Sequence, residues 1–145
     1  MSEKNERTFA ELLGYLFREA HPKGRGPYTY AEVSQGIRDT SGFTISASAI
    51  QQLRTGINTN PKMQTIRALA GFFGVTPGYF FDEEEAERQR AEIELVVAMR
   101  DQNVRRVALR ANGLSTASLN MVTTVIDQTR RLEGLADDSG PLDGG

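Results

Sequence analysis

The chain has 145 residues, enough for one or two small domains, with 25% charged and 39% hydrophobic residues and a formal net charge of −2. It contains no cysteine, which excludes disulfides and thiolate metal sites. No apolar run approaches the ~20 residues that cross a bilayer, and the opening MSEKNERTF lacks the apolar stretch of a signal peptide; the expectation is a cytoplasmic protein without a membrane segment.

Charge is unevenly spread. Residues 1–81 hold nine Lys+Arg and six Asp+Glu, a balance of +3, whereas residues 82–145 hold eight and thirteen, a balance of −5. Such asymmetry tells more than the total, although +3 is by itself a modest signal of nucleic-acid binding.

Phe9, Leu12, Leu13, Leu16 and Phe17 recur at i, i+3, i+4, i+7 and i+8, one face of a helix. Thr8 and Glu11 form its capping box. His21 to Pro27, with two prolines and two glycines, reads as a loop. Thr29 and Glu32 make a second capping box, opening a helix with Ala31, Val33 and Ile37 inward and a break at Asp39-Thr40-Ser41-Gly42. Ser46 caps a third helix with Ala49, Ile50 and Leu53 as its stripe, closed by Thr55-Gly56. Asn60-Pro61 opens a fourth, with Met63, Ile66, Leu69, Ala70 and Phe73 inward and Gly74 as its stop. Thr76-Pro77 starts one more turn that buries Tyr79 and Phe80.

Downstream, the acidic run 82–87 suits a helix start. Three helices are expected: about 83–101 with Ile93, Val96 and Val97 apolar, about 103–111 with Val104, Val107, Ala108 and Ala111 in step, and a last one capped by Ser115. That last helix carries Leu119, Val122, Ile126 and Leu132 on one stripe with Val125 beside it. The Gly-, Asp- and Pro-containing tail has too little apolar surface to fold. The expected fold is all-α: a five-helix domain over 8–81, a three-helix domain over 82–133 and a disordered tail over 134–145.

The second and third helices have the logic of a helix-turn-helix, in which a short helix braces another whose N-terminal residues enter the major groove. The small residue of the first helix would be Ala31, the apolar residue of the turn Ile45, and the anchors of the second helix Ile50 and Leu53. The runs Ala31-Glu32-Val33, Ser48 to Gly56 and Ile66 to Phe81 resemble the Cro/phage-repressor-like (XRE) helix-turn-helix family. One departure is the connection from Ile37 to Ser46, about six residues longer than the tight turn usual for the motif. The long turn, together with Pro22 to Val33, Gln52 to Pro61 and Met99 to Leu114, is similar to a group of mycobacterial nucleoid-associated regulators. These resemblances imply base reading by Ala47, Ser48 and Gln52, a dimer formed through the C-terminal helices, and a protein able to bind many sites.

The residue chemistry agrees with that placement. Gln52 offers an amide that pairs bidentately with adenine, Ser48 can donate or accept, and an alanine can approach a thymine methyl. Lys23 and Arg25 on the Gly-rich loop, Tyr30, and the set Arg54, Thr55, Asn58, Thr59, Asn60 and Lys62 after the third helix are the phosphate candidates. Leu119, Val122, Val125, Ile126 and Leu132 are the dimerisation candidates, because three short helices give a marginal core alone. The expected partners are double-stranded DNA and a second copy, extending to higher-order assembly on DNA within the nucleoid.

Blander readings stand beside these. Lys23-Gly24-Arg25-Gly26 is also a plain surface loop, and with no strand before it it is not a nucleotide-binding glycine loop. Only one of Gln51 and Gln52 is expected to face the groove. Asn58-Thr59-Asn60 is a turn in any case. Arg105, Arg106 and Arg110 form a second basic patch or a solvated face paired with Glu92 and Glu94. His21, the lone histidine, reads as a helix-end residue, with no nucleophile partner and no metal site; an enzyme and a cofactor are not expected. Two rivals remain at this point: a protein-interaction module that uses the scaffold without an operator, and a repressor whose C-terminal helices sense a small effector.

Overall fold

The computed structural model describes residues 7–135; the expected tail lies outside them from residue 136 onward. The described residues are helical throughout: α1 Phe9–Glu19, α2 Tyr30–Ser41, α3 Ala47–Arg54, α4 Met63–Phe73, a single 3-10 turn Pro77–Phe80, α5 Glu83–Ala98, α6 Gln102–Ala111 and α7 Thr116–Leu132. The fifth expected helix of the N-terminal set is therefore one 3-10 turn, too short for an α-helical ladder.

Both expected capping boxes form. Thr8 Oγ1 accepts from Glu11 N at 3.1 Å while Thr8 N donates to Glu11, and Thr29 and Glu32 repeat the pattern. Leu12, Leu13, Leu16 and Phe17 of α1 are buried, joined by Val33, Ile37, Ile45, Ile50, Leu53, Ile66, Leu69, Ala70, Phe73, Tyr79 and Phe80 in one continuous core. Phe9 stacks on Phe80 with centroids 4.5 Å apart, and Tyr79 donates its hydroxyl to Leu12 O at 2.6 Å.

Four local expectations are corrected. Asp39 to Ser41 do not break α2; the helix runs on to Ser41 and ends at Gly42, whose φ of 76° supplies the left-handed cap. The Thr40 and Ser41 hydroxyls bond back to Gly36 O and Ile37 O, each at 2.8 Å, so these residues add a turn of helix. Much of the extra length before α3 is thus helix. Ala31 is exposed, not inward; the buried small residue is Ser34, which donates to Ile45 O at 2.6 Å and pins the turn to α2. Helix α4 begins at Met63 with Lys62 as N-cap, later than Asn60-Pro61 suggested, and Met63 is largely exposed. Gly36 allows α2 and α4 to close up, since a Cβ there would collide with the Phe72 ring.

Contacts divide the chain into two compact units, Met1–Asp101 and Gln102–Gly145. The expected boundary at 82 is therefore earlier than the compact units place it: α5 packs with the first unit. Arg7 pairs with Glu83 and with Glu87, the latter at 2.7 Å, and Ala86 is fully buried. Gln89 is tied to Thr76, accepting from its N–H at 3.1 Å and donating to its hydroxyl at 2.8 Å. In the second unit, none of residues 102–135 is buried.

Burial pushes the Tyr15 hydroxyl up to about 12 and raises the Tyr79 hydroxyl well above its usual value of 10.0. A raised folded value stabilises below the unfolded value and is lost as pH climbs through the folded one. Urea-unfolding stability should accordingly hold up to about pH 10 and fall beyond it. Tyr79→Phe should cost about 1 kcal/mol at pH 7 through the lost hydrogen bond and make the alkaline fall shallower. An alkaline profile identical to that of the parent would show that Tyr79 does not drive it.

Candidate nucleic-acid interface

Helix α3 starts where Ser46 Oγ accepts from Ala49 N at 3.0 Å and ends where Gly56, at φ 85°, turns the chain away. It packs on α1 and α2 through Ile50 and Leu53, which are 0% and 2% exposed. At about 100° per residue, Ser48, Gln52 and Thr55 point away from those anchors, with Gln51 at one edge of the outward face. All four are exposed. Ala47 is half-buried and sits on the flank rather than the crest, between Ile50 and Gln51, with Ala49 on the opposite flank.

The segment after α3 is ordered by its own backbone. Thr55 donates N–H and hydroxyl to Gln51 O at 2.9 and 2.8 Å. Asn58 N donates to Gln52 O at 3.0 Å, and Asn58 Oδ1 accepts from Asn60 N at 3.0 Å. Thr55, Asn58, Thr59, Asn60 and Lys62 are all exposed, and Lys62 is the N-cap of α4, with no side chain capping the first amides of that helix. These residues are therefore all open to solvent along the connection between α3 and α4. Ile57, unforeseen by the sequence pattern, stands among them 76% exposed.

A second group sits at the start of α2. Lys23 is exposed in a turn whose Gly24 has φ 89°. Arg25 is more occupied than expected. It donates to Glu32 through both terminal nitrogens, at 3.1 and 2.7 Å, and to the carbonyls of Gly26 and Pro27. Its guanidinium lies 4.6 Å from the Tyr28 ring centre. The hydrogen bonds from Arg25, then the backbone N–H of Thr29, hold the Glu32 carboxyl down to about 2. Arg54 joins the two groups: its guanidinium lies 4.8 Å from the centre of Phe17 and 5.9 Å from that of Tyr30. Tyr30 itself packs edge-on against Phe17 at 5.3 Å. Stacking of this kind leaves an arginine charged and aimed by its ring neighbours.

The dimerisation candidates all lie in α7 and separate into two faces. Leu119, Val122 and Ile126 share one stripe, with Leu119 and Ile126 38% and 44% exposed. Val125 and Leu132, 62% and 87% exposed, fall about 100° away. Leu132 therefore does not extend the Leu119 stripe, as the spacing suggested, but belongs with Val125 and Met121. His21 caps the end of α1, its ring nitrogens 3.0 Å from Arg18 O and 3.2 Å from Pro22 O. Among the described residues no group of three His, Asp or Glu is gathered as metal ligands, and no helix is long and apolar enough to cross a membrane.

The chain is 44% identical over 128 residues to the nucleoid-associated protein EspR of Mycobacterium tuberculosis, in both strain CDC 1551/Oshkosh and strain H37Rv. The match spans 88% of this chain and 96% of either relative. The chain belongs to the EspR family. No domain-family profile matches it, so the wider likeness to Cro/phage-repressor-like proteins rests on the motif and its geometry alone.

The Glu32 clamp gives a direct test of loop order. A carboxyl held low contributes above its unfolded value, 4.5, and its contribution is lost as pH falls toward about 2. Glu32→Gln should speed amide exchange over residues 24–29 severalfold at pH 7, and the parent should show the same loosening as pH falls through that window. Unchanged exchange in the variant would mean that the loop is held by other contacts.

Proposed function

We propose that this chain is a nucleoid-associated regulator that binds double-stranded DNA with sequence preference, as a homodimer that lays α3 in the major groove. One observation carries the reading: α3 is seated through Ile50 and Leu53 while Ser48 and Gln52 stand exposed on its opposite face. A helix that presents short polar side chains outward from a fixed footing suits base-edge contact. In this reading Gln52 pairs with an adenine edge, Ser48 adds a hydrogen bond, and Ala47 approaches from the flank.

The phosphate contacts come from Lys23 and Tyr30 on one side and Arg54, Thr55, Asn58, Thr59, Asn60 and Lys62 on the other. The open amides at the start of α4 suit an anion. Arg25 reaches a phosphate only by giving up part of its clamp on Glu32, so its first task is to shape the loop that carries Lys23. The relatives' description as nucleoid-associated supports the same reading and a nucleoid location. The reading is of a binding protein and not an enzyme, with no cofactor required.

The dimer reading rests on α6 and α7. A unit without a single buried residue over 102–135 has no core of its own, and a second copy is the natural cover for Leu119, Val122 and Ile126, or for Val125 and Leu132. The reading head then comprises residues 8–81, α5 braces it, and the dimerising part begins near Gln102. Higher-order assembly on DNA follows from the face of α7 left over.

Gln52→Ala should weaken binding to a preferred duplex by about 1–3 kcal/mol and leave random duplex almost unaffected. Equal losses on both would remove Gln52 from base reading. Truncation after Asp101 keeps every residue that is buried among the described ones and should yield a folded monomer that binds the preferred duplex far more weakly. Sedimentation equilibrium decides this: a truncated chain that still dimerises would move the interface off α6 and α7.

A further inference from the structure

Within the first unit, the ends of α1 and α4 and the flank of α5 enclose a groove of about 470 Å³, within the range that holds a small molecule. Its apolar surface includes Phe72, Ile93 and Val97. Tyr28 meets Phe72 edge to face there, with centroids 5.0 Å apart. The electrostatics of the groove lean negative, with two carboxylates to one arginine in its lining. Two helices end in it, α1 at Glu19 and α4 at Phe73; α1 has Arg18 in its last turn, whereas α4 carries no basic residue in its own. A helix C-terminus behaves as about half a negative charge. The carboxylates of Glu19 and Glu92 also line the groove, and neither has an ion-pair partner among the described residues. The one arginine there, Arg100, donates to His21 O at 2.7 Å.

We propose that this groove binds a small amphipathic cation, an organic ammonium on an aromatic or aliphatic body. The apolar floor takes the body, as in most small-molecule sites. Glu19, Glu92 and the end of α4 attract the ammonium, and the Tyr28 and Phe72 rings line the groove beside them. An anion would meet two carboxylates and the uncompensated end of α4 against the single Arg100, and a neutral ligand would leave the carboxylates unanswered. The site differs in place from an effector pocket among the C-terminal helices. It also touches the DNA-facing loop: Tyr28 is both a wall of the groove and the ring on which Arg25 rests, so an occupant would be felt in the loop that carries Lys23.

The test uses the full chain without DNA, so its outcome is independent of how α3 reads sequence. Isotope-labelled protein is titrated with tryptamine, with indole-3-acetate and with indole, and amide shifts are followed. Tryptamine should shift Tyr28, Phe72 and Glu92 saturably, with indole-3-acetate at least about tenfold weaker. The double variant Glu19→Gln/Glu92→Gln should abolish that preference while keeping the parent's helix content. Val97→Phe, which fills the floor, should weaken all three probes and serves if the double variant fails to fold. Equal affinity for amine and acid, shifts centred away from the groove, or no saturation by about 10 mM tryptamine would each overturn the proposal.

Discussion

Helix α3 has eight residues, and a helix that short is not stable in water alone. It exists because Ile50 and Leu53 are taken out of water against α1 and α2, a gain of roughly 1.5–3 kcal/mol for each side chain. Much of the N-terminal unit can be read as support for that seating. Leu13, Leu16 and Phe17 make α1 a wall. The Ser34 hydroxyl holds Ile45 so that the chain enters α3 at a fixed place, and Ser46 caps the entry. The outward face of α3 is then a by-product of burial: with two positions fixed inward, helical geometry dictates that Ser48 and Gln52 face out.

The helix order was legible because each boundary carries a chemical marker. Thr8 with Glu11 and Thr29 with Glu32 mark starts, Ser46 marks a third, and Gly56 and Gly74 mark stops at positive φ. Where no such marker governs, the reading failed. Asp39, Thr40 and Ser41 have the composition of a break, yet the hydroxyls of Thr40 and Ser41 bond back along the helix and let it run to the next glycine. Ala31 and Ser34 are both small and only a turn apart, so periodicity could not choose between them. The choice was made by a tertiary hydrogen bond to Ile45 that leaves no local trace.

The candidate site was legible by residue type and less so by commitment. Lys23 and Arg25 look equivalent in sequence, but Glu32, already used in a capping box, also engages Arg25. An i+7 ion pair across a loop follows from no periodicity. Arg54 is the opposite case: its place against Phe17 and Tyr30 joins residues far apart in the chain. The attachment of α5 to the first unit depends likewise on Arg7, Ala86 and Gln89 finding partners many residues away, while its acidic start mimicked the opening of a new domain.

The loop after α3 has a thermodynamic consequence of its own. Its first and last parts are tied, through Asn58 N to Gln52 O and Asn60 N to Asn58 Oδ1, and Thr55 is anchored to Gln51. A segment fixed before it meets a surface surrenders little chain entropy on contact. Polar groups on a mobile loop would have to be frozen first, and much of their attraction would be spent on the freezing. Here Thr55, Asn58 and Asn60 are already held by local hydrogen bonds, so the contact proposed for this loop would require little ordering of the chain. A prearranged loop of this kind favours rapid encounter and release over slow induced fit, the kinetic character that the proposed DNA binding would call for.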